Sequence, residues 1–144
     1  MRRLLSLAAV ALLVFAAIAC GGDAPEAMPT LSPPPISPQL QTRSQGSLTL
    51  DVAAGGRQAI DPLALARQFG EPPTCADYVF LFSWQTRQKE GISFVGTRQG
   101  GAFDIGSGQK GEASVSGCIL LEAVNAGDGA VSGEMRYFVA EPRR

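Results

Sequence analysis

Residues Tyr78 to Thr86 read YVFLFSWQT, which is the strongest strand pattern in the chain. Its aromatic residues recur at every second position, which puts them on one face of a strand: Tyr78, Phe80, Phe82 and Trp84. We expect this face to fill a core. Val79 and Leu81, on the opposite face, predict that the first half of the strand is buried on both sides. The alternative is a binding platform, with Trp84 the residue that reaches the surface.

Other strands follow on either side of this stretch. Ser47 to Val52 alternates between apolar and polar residues, as a half-buried strand does. Shorter strands are expected at 92–98 and 102–105, and one long strand at 112–123 with a bulge at Gly117. Residues Val131 to Glu141 form the last strand, and one of its faces carries four apolar residues: Val131, Met135, Tyr137 and Val139.

The connections complete the prediction of the fold. Asp61 and Pro62 are typical of a helix start and precede LALARQF and Gly70, which predicts a two-turn helix with Leu65 and Phe69 on one face. The sequence NAGDG at 125–129 carries an Asp-Gly hairpin signal. About six or seven close-spaced strands with one short helix indicate a mainly β domain, a small antiparallel β-sandwich or barrel.

Composition excludes several kinds of chemistry. The 144 residues contain no histidine, so a Ser-His-Asp or Cys-His nucleophile and a metal site built on imidazole are excluded. The net charge of -1 does not favour nucleic acid as a partner. We found no motif for a cofactor or a metal ion and expect none to be bound.

The N-terminus has the pattern of an export signal. Arg2 and Arg3 precede a run of apolar and small residues from Leu4 to Ala19, too short for a spanning helix and suited to a secretory signal. The run ends at Cys20, which Gly21 and Gly22 follow.

These residues resemble the bacterial lipoprotein signal peptide with its lipobox. The match lies at Ala19-Cys20, with Ala17 where that family usually has leucine. The resemblance covers residues 1–22. It implies cleavage before Cys20, lipid modification of the Cys20 thiol and attachment to a membrane of the bacterial cell envelope. An ordinary signal peptide cut elsewhere is the alternative.

The cysteine count agrees with this interpretation. There are three cysteines, and an acylated Cys20 leaves Cys75 and Cys118 as an even pair. Export to an oxidising compartment predicts a disulfide between them. Two buried free thiols are the alternative.

Residues 21–45 are expected to be a tether. They hold six of the ten prolines and no aromatic residue, so we expect an extended segment with a reach of roughly 70 Å. The predicted organisation is a signal peptide at 1–19, an anchor and Pro-rich linker at 20–45, and a β-rich domain at 46–144.

Glycines are concentrated between Gly91 and Gly111, seven in all. Residues 106–111 (GSGQKG) satisfy G-x-G-x-x-G, but a predicted strand follows where a dinucleotide site needs a helix, so a flexible hairpin loop is expected. Because glycines weaken strand pairing and free backbone groups, this region is the candidate binding surface. Its candidate side chains are Arg98, Asp104 and Lys110, with Trp84 as the aromatic member.

The function predicted from these features is a lipid-anchored binding or interaction module. Its partners would be the membrane, through the lipid, and an envelope protein or a surface ligand. One alternative is an inhibitor that protects the envelope from a lytic enzyme, for which a projecting loop at 96–111 would be suitable. A small hydrolase is the second alternative, although no catalytic motif supports it.

Overall fold

A computed structural model of the chain describes residues 30–67 and 78–143. These residues form eight strands and one helix in the order β1 (Leu40–Val52), β2 (Arg57–Ile60), α1 (Pro62–Arg67), β3 (Val79–Thr86), β4 (Ile92–Arg98), β5 (Gly101–Gly108), β6 (Lys110–Ser116), β7 (Leu120–Val124) and β8 (Val131–Pro142). In this part of the chain, no helix is long and apolar enough to cross a membrane.

The strands form two antiparallel sheets of four strands each. Sheet I has the order β1-β8-β3-β6 and sheet II the order β2-β7-β4-β5. The predicted fold class is confirmed: the domain is mainly β, and the sheets form a sandwich-like fold with one short helix.

The core lies between the inner faces of the two sheets. The aromatic face of β3 and the predicted apolar face of β8 both point into it, as expected. Its most deeply buried large side chains include Trp84, Tyr78, Phe80, Phe82, Phe94, Leu50, Ile60, Leu121 and Met135.

Helix α1 begins at the predicted N-cap. Oδ1 of Asp61 accepts hydrogen bonds from the backbone N–H groups of Leu63 and Ala64, at 2.9 and 3.0 Å. A carboxylate in this position satisfies donors that have no partner inside the helix. Phe69 and Gly70, which were predicted to complete the helix, lie outside the described residues.

The single strand predicted at 112–123 is wrong. The structure divides it into β6, which pairs with β3 in sheet I, and β7, which pairs with β4 in sheet II. Gly117 lies between them with φ of 81°, a left-handed conformation that favours glycine. Gly117 is therefore a turn through which the chain passes from one sheet to the other, and not a bulge within one strand.

The hairpin predicted at 125–129 is also wrong. β7 belongs to sheet II and β8 to sheet I, so the NAGDG sequence joins two sheets and not two paired strands. The signal identified the turn residues correctly, but a local motif does not determine which strands pair. Asn125 is buried here and bonds to three backbone carbonyls.

Residues 96–111 do not form a projecting loop. They comprise the end of β4, a two-residue turn at Gln99 and Gly100, all of β5 and the start of β6, with Gln109 alone between β5 and β6. The 106–111 motif is likewise divided between two strands that belong to different sheets. The backbone O of Gln109 accepts a hydrogen bond from the N–H of Thr86 at 2.7 Å, which fixes this short connection.

The folded part begins earlier than the predicted boundary at residue 46. Strand β1 starts at Leu40, and its first residues pair with the end of β8. Residues 30–39 lie against the outer face of sheet I, where Ile36 contacts a second apolar cluster. The C-terminal half of the Pro-rich segment is therefore part of the domain.

Candidate functional site

Trp84 is buried in the core, with 2% of its surface exposed. Its ring centroid lies 4.7 Å from that of Phe94 and 5.8 Å from that of Phe82. The indole Nε1–H donates a hydrogen bond to the backbone O of Gly108 at 3.1 Å. The alternative that Trp84 reaches the surface as part of a binding platform is therefore wrong, because this row of aromatic residues fills the sandwich.

Several glycines of the 91–111 region make room for this core. A Cβ on Gly111 would lie 2.5 Å from the Trp84 ring, and one on Gly106 would lie 2.9 Å from it. A Cβ on Gly96 would meet the ring of Phe103 at 2.6 Å. These positions lie over large side chains, where only glycine avoids a clash, and this packing accounts for part of the glycine concentration.

The candidate residues Arg98 and Asp104 point in different directions. Arg98 lies on the same face of β4 as Phe94 and Gly96, which point toward the core. Its guanidinium carbon lies 4.8 Å from the Phe103 ring centroid. Asp104 pairs with Val95 in the opposite alternation, on the outer face of sheet II. Arg98 thus covers the end of the core, while Asp104 faces outward.

Lys110, the third candidate, belongs to the other sheet. It pairs with Gln85 in sheet I and lines a groove of about 520 Å³ beside residues 30–33. The structure therefore does not bring Arg98, Asp104 and Lys110 together into one surface.

The outer face of sheet II carries three apolar side chains in successive rows. Leu120 is 50% exposed and is the large hydrophobic residue that the described part of the chain exposes most. Register places it beside Thr97, half-buried Val95 beside Glu122 in the next row, and half-buried Val124 beside Ser93 in the row after that. Each of the three therefore has a polar neighbour across the β4–β7 pair.

Charged residues lie both within this face and at its β5 edge. On β2, Nη1 of Arg57 lies 3.0 Å from Oε2 of Glu122 on β7, so these two charges are paired. On β5, Asp104 is exposed and makes no ion pair with any residue in 30–67 or 78–143. The face therefore mixes apolar and paired charged side chains at its centre and carries one negative charge without an ion pair at its β5 edge.

The outer face of sheet I differs because the chain covers it. Leu81, Phe138 and Ala140 form an apolar cluster there, and each is at most 9% exposed. Ile36 and Leu40 pack against this cluster. The sequence prediction that β3 is buried on both faces near Val79 and Leu81 is confirmed.

Sequence reasoning missed two polar residues that join the sheets at one side of the sandwich. The Gln58 side chain accepts a hydrogen bond from the Asp51 N–H and donates one to the Thr49 carbonyl, both at 3.0 Å. Asn125 Nδ2 donates to the carbonyls of Val52 and Ala53 and, at 2.7 Å, to that of Gly129. In the sequence, only the position of Asn125 within the turn cluster NAGDG pointed to such a role, and nothing marked Gln58.

The three cysteines are unequally described. Cys20 and Cys75 lie outside the described residues, and Cys118 lies in the connection between β6 and β7. Lipidation of Cys20 and the Cys75–Cys118 disulfide stay predictions. Among the described residues, no group of three or more Cys, Asp or Glu side chains is placed to hold a metal ion.

Two tyrosines lie in a less polar environment than water. Burial raises the pKa of Tyr78 above its ordinary value of 10.0, and the negative charge of Asp61 adds to the shift. Burial also raises the pKa of Tyr137. Both phenols therefore stay neutral at physiological pH, and they act as core side chains.

Comparison with known proteins gives no family. No protein-family model matches the chain, and no curated protein matches it. A solved structure described as "Bacillus endospore appendages form a novel family of disulfide-linked pili" is similar with a TM-score of 0.45 and 12% sequence identity, over 72% of this chain and 92% of that one. A likeness at this level supports no statement about function.

Proposed function

We propose that this chain is a lipid-anchored interaction module of the bacterial cell envelope that binds a protein partner through the outer face of sheet II. The observation that carries the proposal is the half-exposed Leu120 beside Thr97, followed by Val95 in the next row and Val124 in the row after it. Apolar side chains that alternate with polar ones agree with the mixed composition of a protein–protein interface.

Charge on this face favours a partner of different sequence over a second copy. A second copy of this chain would offer Asp104 only Arg57 as a cation from this face, and Arg57 is already paired with Glu122. We therefore commit to an envelope protein whose flat apolar patch carries a lysine or arginine placed over Asp104. Complementary charge of this kind increases specificity and the association rate.

A photo-crosslinking experiment tests this partner directly. A photoreactive residue is placed at position 120 on sheet II, or at position 47 on the outer face of sheet I, in the full chain in its native cells. We expect one dominant heterologous adduct from position 120 and none from position 47. An adduct of two copies of this chain, an adduct with lipid, or no adduct at position 120 would contradict the proposed partner.

Two charge-introducing variants form a matched pair for the same assay. With the photoreactive residue moved to position 97, which lies beside Leu120 in the register, Leu120→Glu should lower adduct formation by at least about tenfold, since loss of an apolar interface contact costs on the order of 1.4 kcal/mol or more. Ser47→Glu adds the same charge on sheet I and should change nothing, because Ser47 is exposed and pairs with Arg136. Both variants should keep the Tm of the parent chain.

The anchor and the disulfide belong to the same proposal. Attachment through Cys20 would hold the module at the membrane, and stable anchoring needs two or more acyl chains. Mass spectrometry of the mature N-terminus should show lipid on Cys20, and Cys20→Ala should release the chain from the membrane fraction or stall the precursor. An unmodified N-terminus beyond residue 20 would contradict the anchor.

A further inference from the structure

Residues 30–39, which we call the strap, cover the outer face of sheet I. Pro34 is buried, and the Ile36 side chain packs on the cluster of Leu81, Phe138 and Ala140. Without the strap, this cluster would be exposed to water. Burial of apolar surface therefore favours the docked strap, at about 25 cal/mol for each Å² removed from water.

Hydrogen bonds hold the strap at both ends. Near its start, the Ser83 hydroxyl donates a hydrogen bond to the backbone O of Ser32 at 2.7 Å, and Ser83 is only 5% exposed. Near its end, the Arg143 N–H donates to the backbone O of Gln39 at 2.8 Å. The consecutive prolines between these contacts restrict φ and so lower the entropy lost on docking.

Docking of the strap shortens the chain between anchor and domain. Ten peptide steps separate Cys20 from Thr30, and twenty separate Cys20 from Leu40. An extended chain spans at most about 3.5 Å per residue, so the maximum reach is roughly 35 Å with the strap docked and roughly 70 Å with it released. The docked strap therefore halves the reach of the tether.

We propose that the strap is a built-in tether clamp: docked on sheet I, it holds the lipid-anchored domain close to the bilayer, and its release doubles the distance the domain can reach. This inference rests on the proposed lipid anchor at Cys20. It gives the Pro-rich segment a mechanical role, because the strap, which is part of that segment, binds the outer face of sheet I.

The first test measures docking without any membrane. Ile36→Asp places a charge on the Leu81 and Phe138 cluster and should lower the Tm by about 5 °C or more. Gln39→Asp introduces the same charge three residues away, at an exposed position, and should leave the Tm unchanged. Equal Tm values for Ile36→Asp and the parent chain would overturn the docked strap.

The second test measures the distance to the bilayer in the full lipidated chain. Trp84 is the only tryptophan, so energy transfer from it to dansyl-labelled lipid headgroups reports the spacing between domain and vesicle. Transfer should be lower for Ile36→Asp than for the parent and Gln39→Asp. Inserting ten Gly/Ser residues after Gly22 should lower it as well, without changing the Tm.

The outcomes separate the two proposals. Equal energy transfer for the parent and Ile36→Asp, with lipid on Cys20 confirmed by mass, would overturn the tether clamp and leave the anchor intact. Absence of lipid on Cys20 would overturn both the anchor and the clamp. The Tm comparison would then still decide whether the strap docks.

Discussion

The two sheets differ in what covers their outer faces. On sheet I, the outward-pointing Leu81 and Phe138 are covered by residues 30–39 of the same chain. On sheet II, the outward-pointing Val95 and Val124 are half buried and Leu120 is half exposed, with no described segment over them. One face is thus covered by a described segment of the same chain, whereas no segment within 30–67 or 78–143 covers the other.

This difference is visible in the sequence patterns of the strands. β3 and β8 contain unbroken apolar runs, VFLF and YFVA, which require burial on both sides. β4 mostly alternates, and β7 alternates in burial, with Leu121 and Ala123 buried and Leu120, Glu122 and Val124 on the outer face. In a sandwich of two sheets, an unbroken apolar run in a strand therefore predicts that another segment covers the outer face of its sheet.

The largest effect is expected from breaking the predicted disulfide. Cys118 lies where the chain passes from sheet I to sheet II, and 118 minus 75 gives a separation of 43 residues. Cys118→Ser, or reduction, should lower the free energy of unfolding by roughly 4 kcal/mol in the chain-entropy model. Chemical denaturation with and without reductant measures this. Alkylation of both cysteines in the native exported protein without reductant would contradict the disulfide.

The next largest effect compares the same substitution on the two faces. Leu81→Ala on covered sheet I should lower the free energy of unfolding by about 3 kcal/mol, as for a buried leucine. Leu120→Ala on open sheet II should change it by less than about 1 kcal/mol, since half of that side chain is already exposed. Equal losses for the two variants, measured by urea denaturation, would remove the distinction between the faces.

A smaller loss is expected at the side where the sheets are joined. Asn125→Ala removes the bonds that the two Nδ2 hydrogens share among three carbonyls and the one that Oδ1 accepts from the Gly127 N–H, which should cost about 2 kcal/mol. Asp128→Ala, at an exposed position in the same turn, is the control and should be neutral. Because Asn125 belongs to neither outer face, crosslinking from position 120 should survive in Asn125→Ala below its melting temperature.

The smallest effect at neutral pH comes from the two tyrosines. Their pKa values are raised in the folded state, so the unfolded chain loses these protons first. The stabilisation from burying the neutral phenols is fully present below the pKa of tyrosine in the unfolded chain, near 10. It is lost as the pH rises through the higher pKa of the folded state. Thermal melts from neutral to alkaline pH should show a decline that Tyr78→Phe reduces. An identical decline in that variant would contradict a role for Tyr78.

The features that could be predicted from the sequence are those set by residues close together in the chain. Alternation in the Tyr78–Thr86 stretch and in β8 identified the core, and Asp61 identified the helix start. The split at Gly117 was not predictable, because the apolar pattern of 112–123 is the same whether its halves pair in one sheet or two. Sheet membership depends on contacts between residues far apart in sequence.

The candidate site was predicted less well than the fold, for the same reason. The glycines near Trp84 looked like loop residues because the ring they accommodate lies on another strand. The strap looked like a free linker because its proline content is local, whereas the apolar cluster it covers is built from β3 and β8. Only Asp104 of the four candidates lies on the face now proposed to bind.

The pairing of β1 with β8 determines how the domain would respond to force. Leu40 pairs with Pro142, so the first residue of β1 and the last residue of β8 lie side by side. Tension applied between these two residues would break the hydrogen-bonded pairs of β1 and β8 one after another, which is the weakest geometry for paired strands. Tension between the N-terminal side and a partner held on sheet II would instead pull across the packed sandwich, where many contacts must break together. A domain anchored at its N-terminal side and bound through sheet II would resist tension between those two points. The same domain would unfold more easily under tension between Leu40 and Pro142.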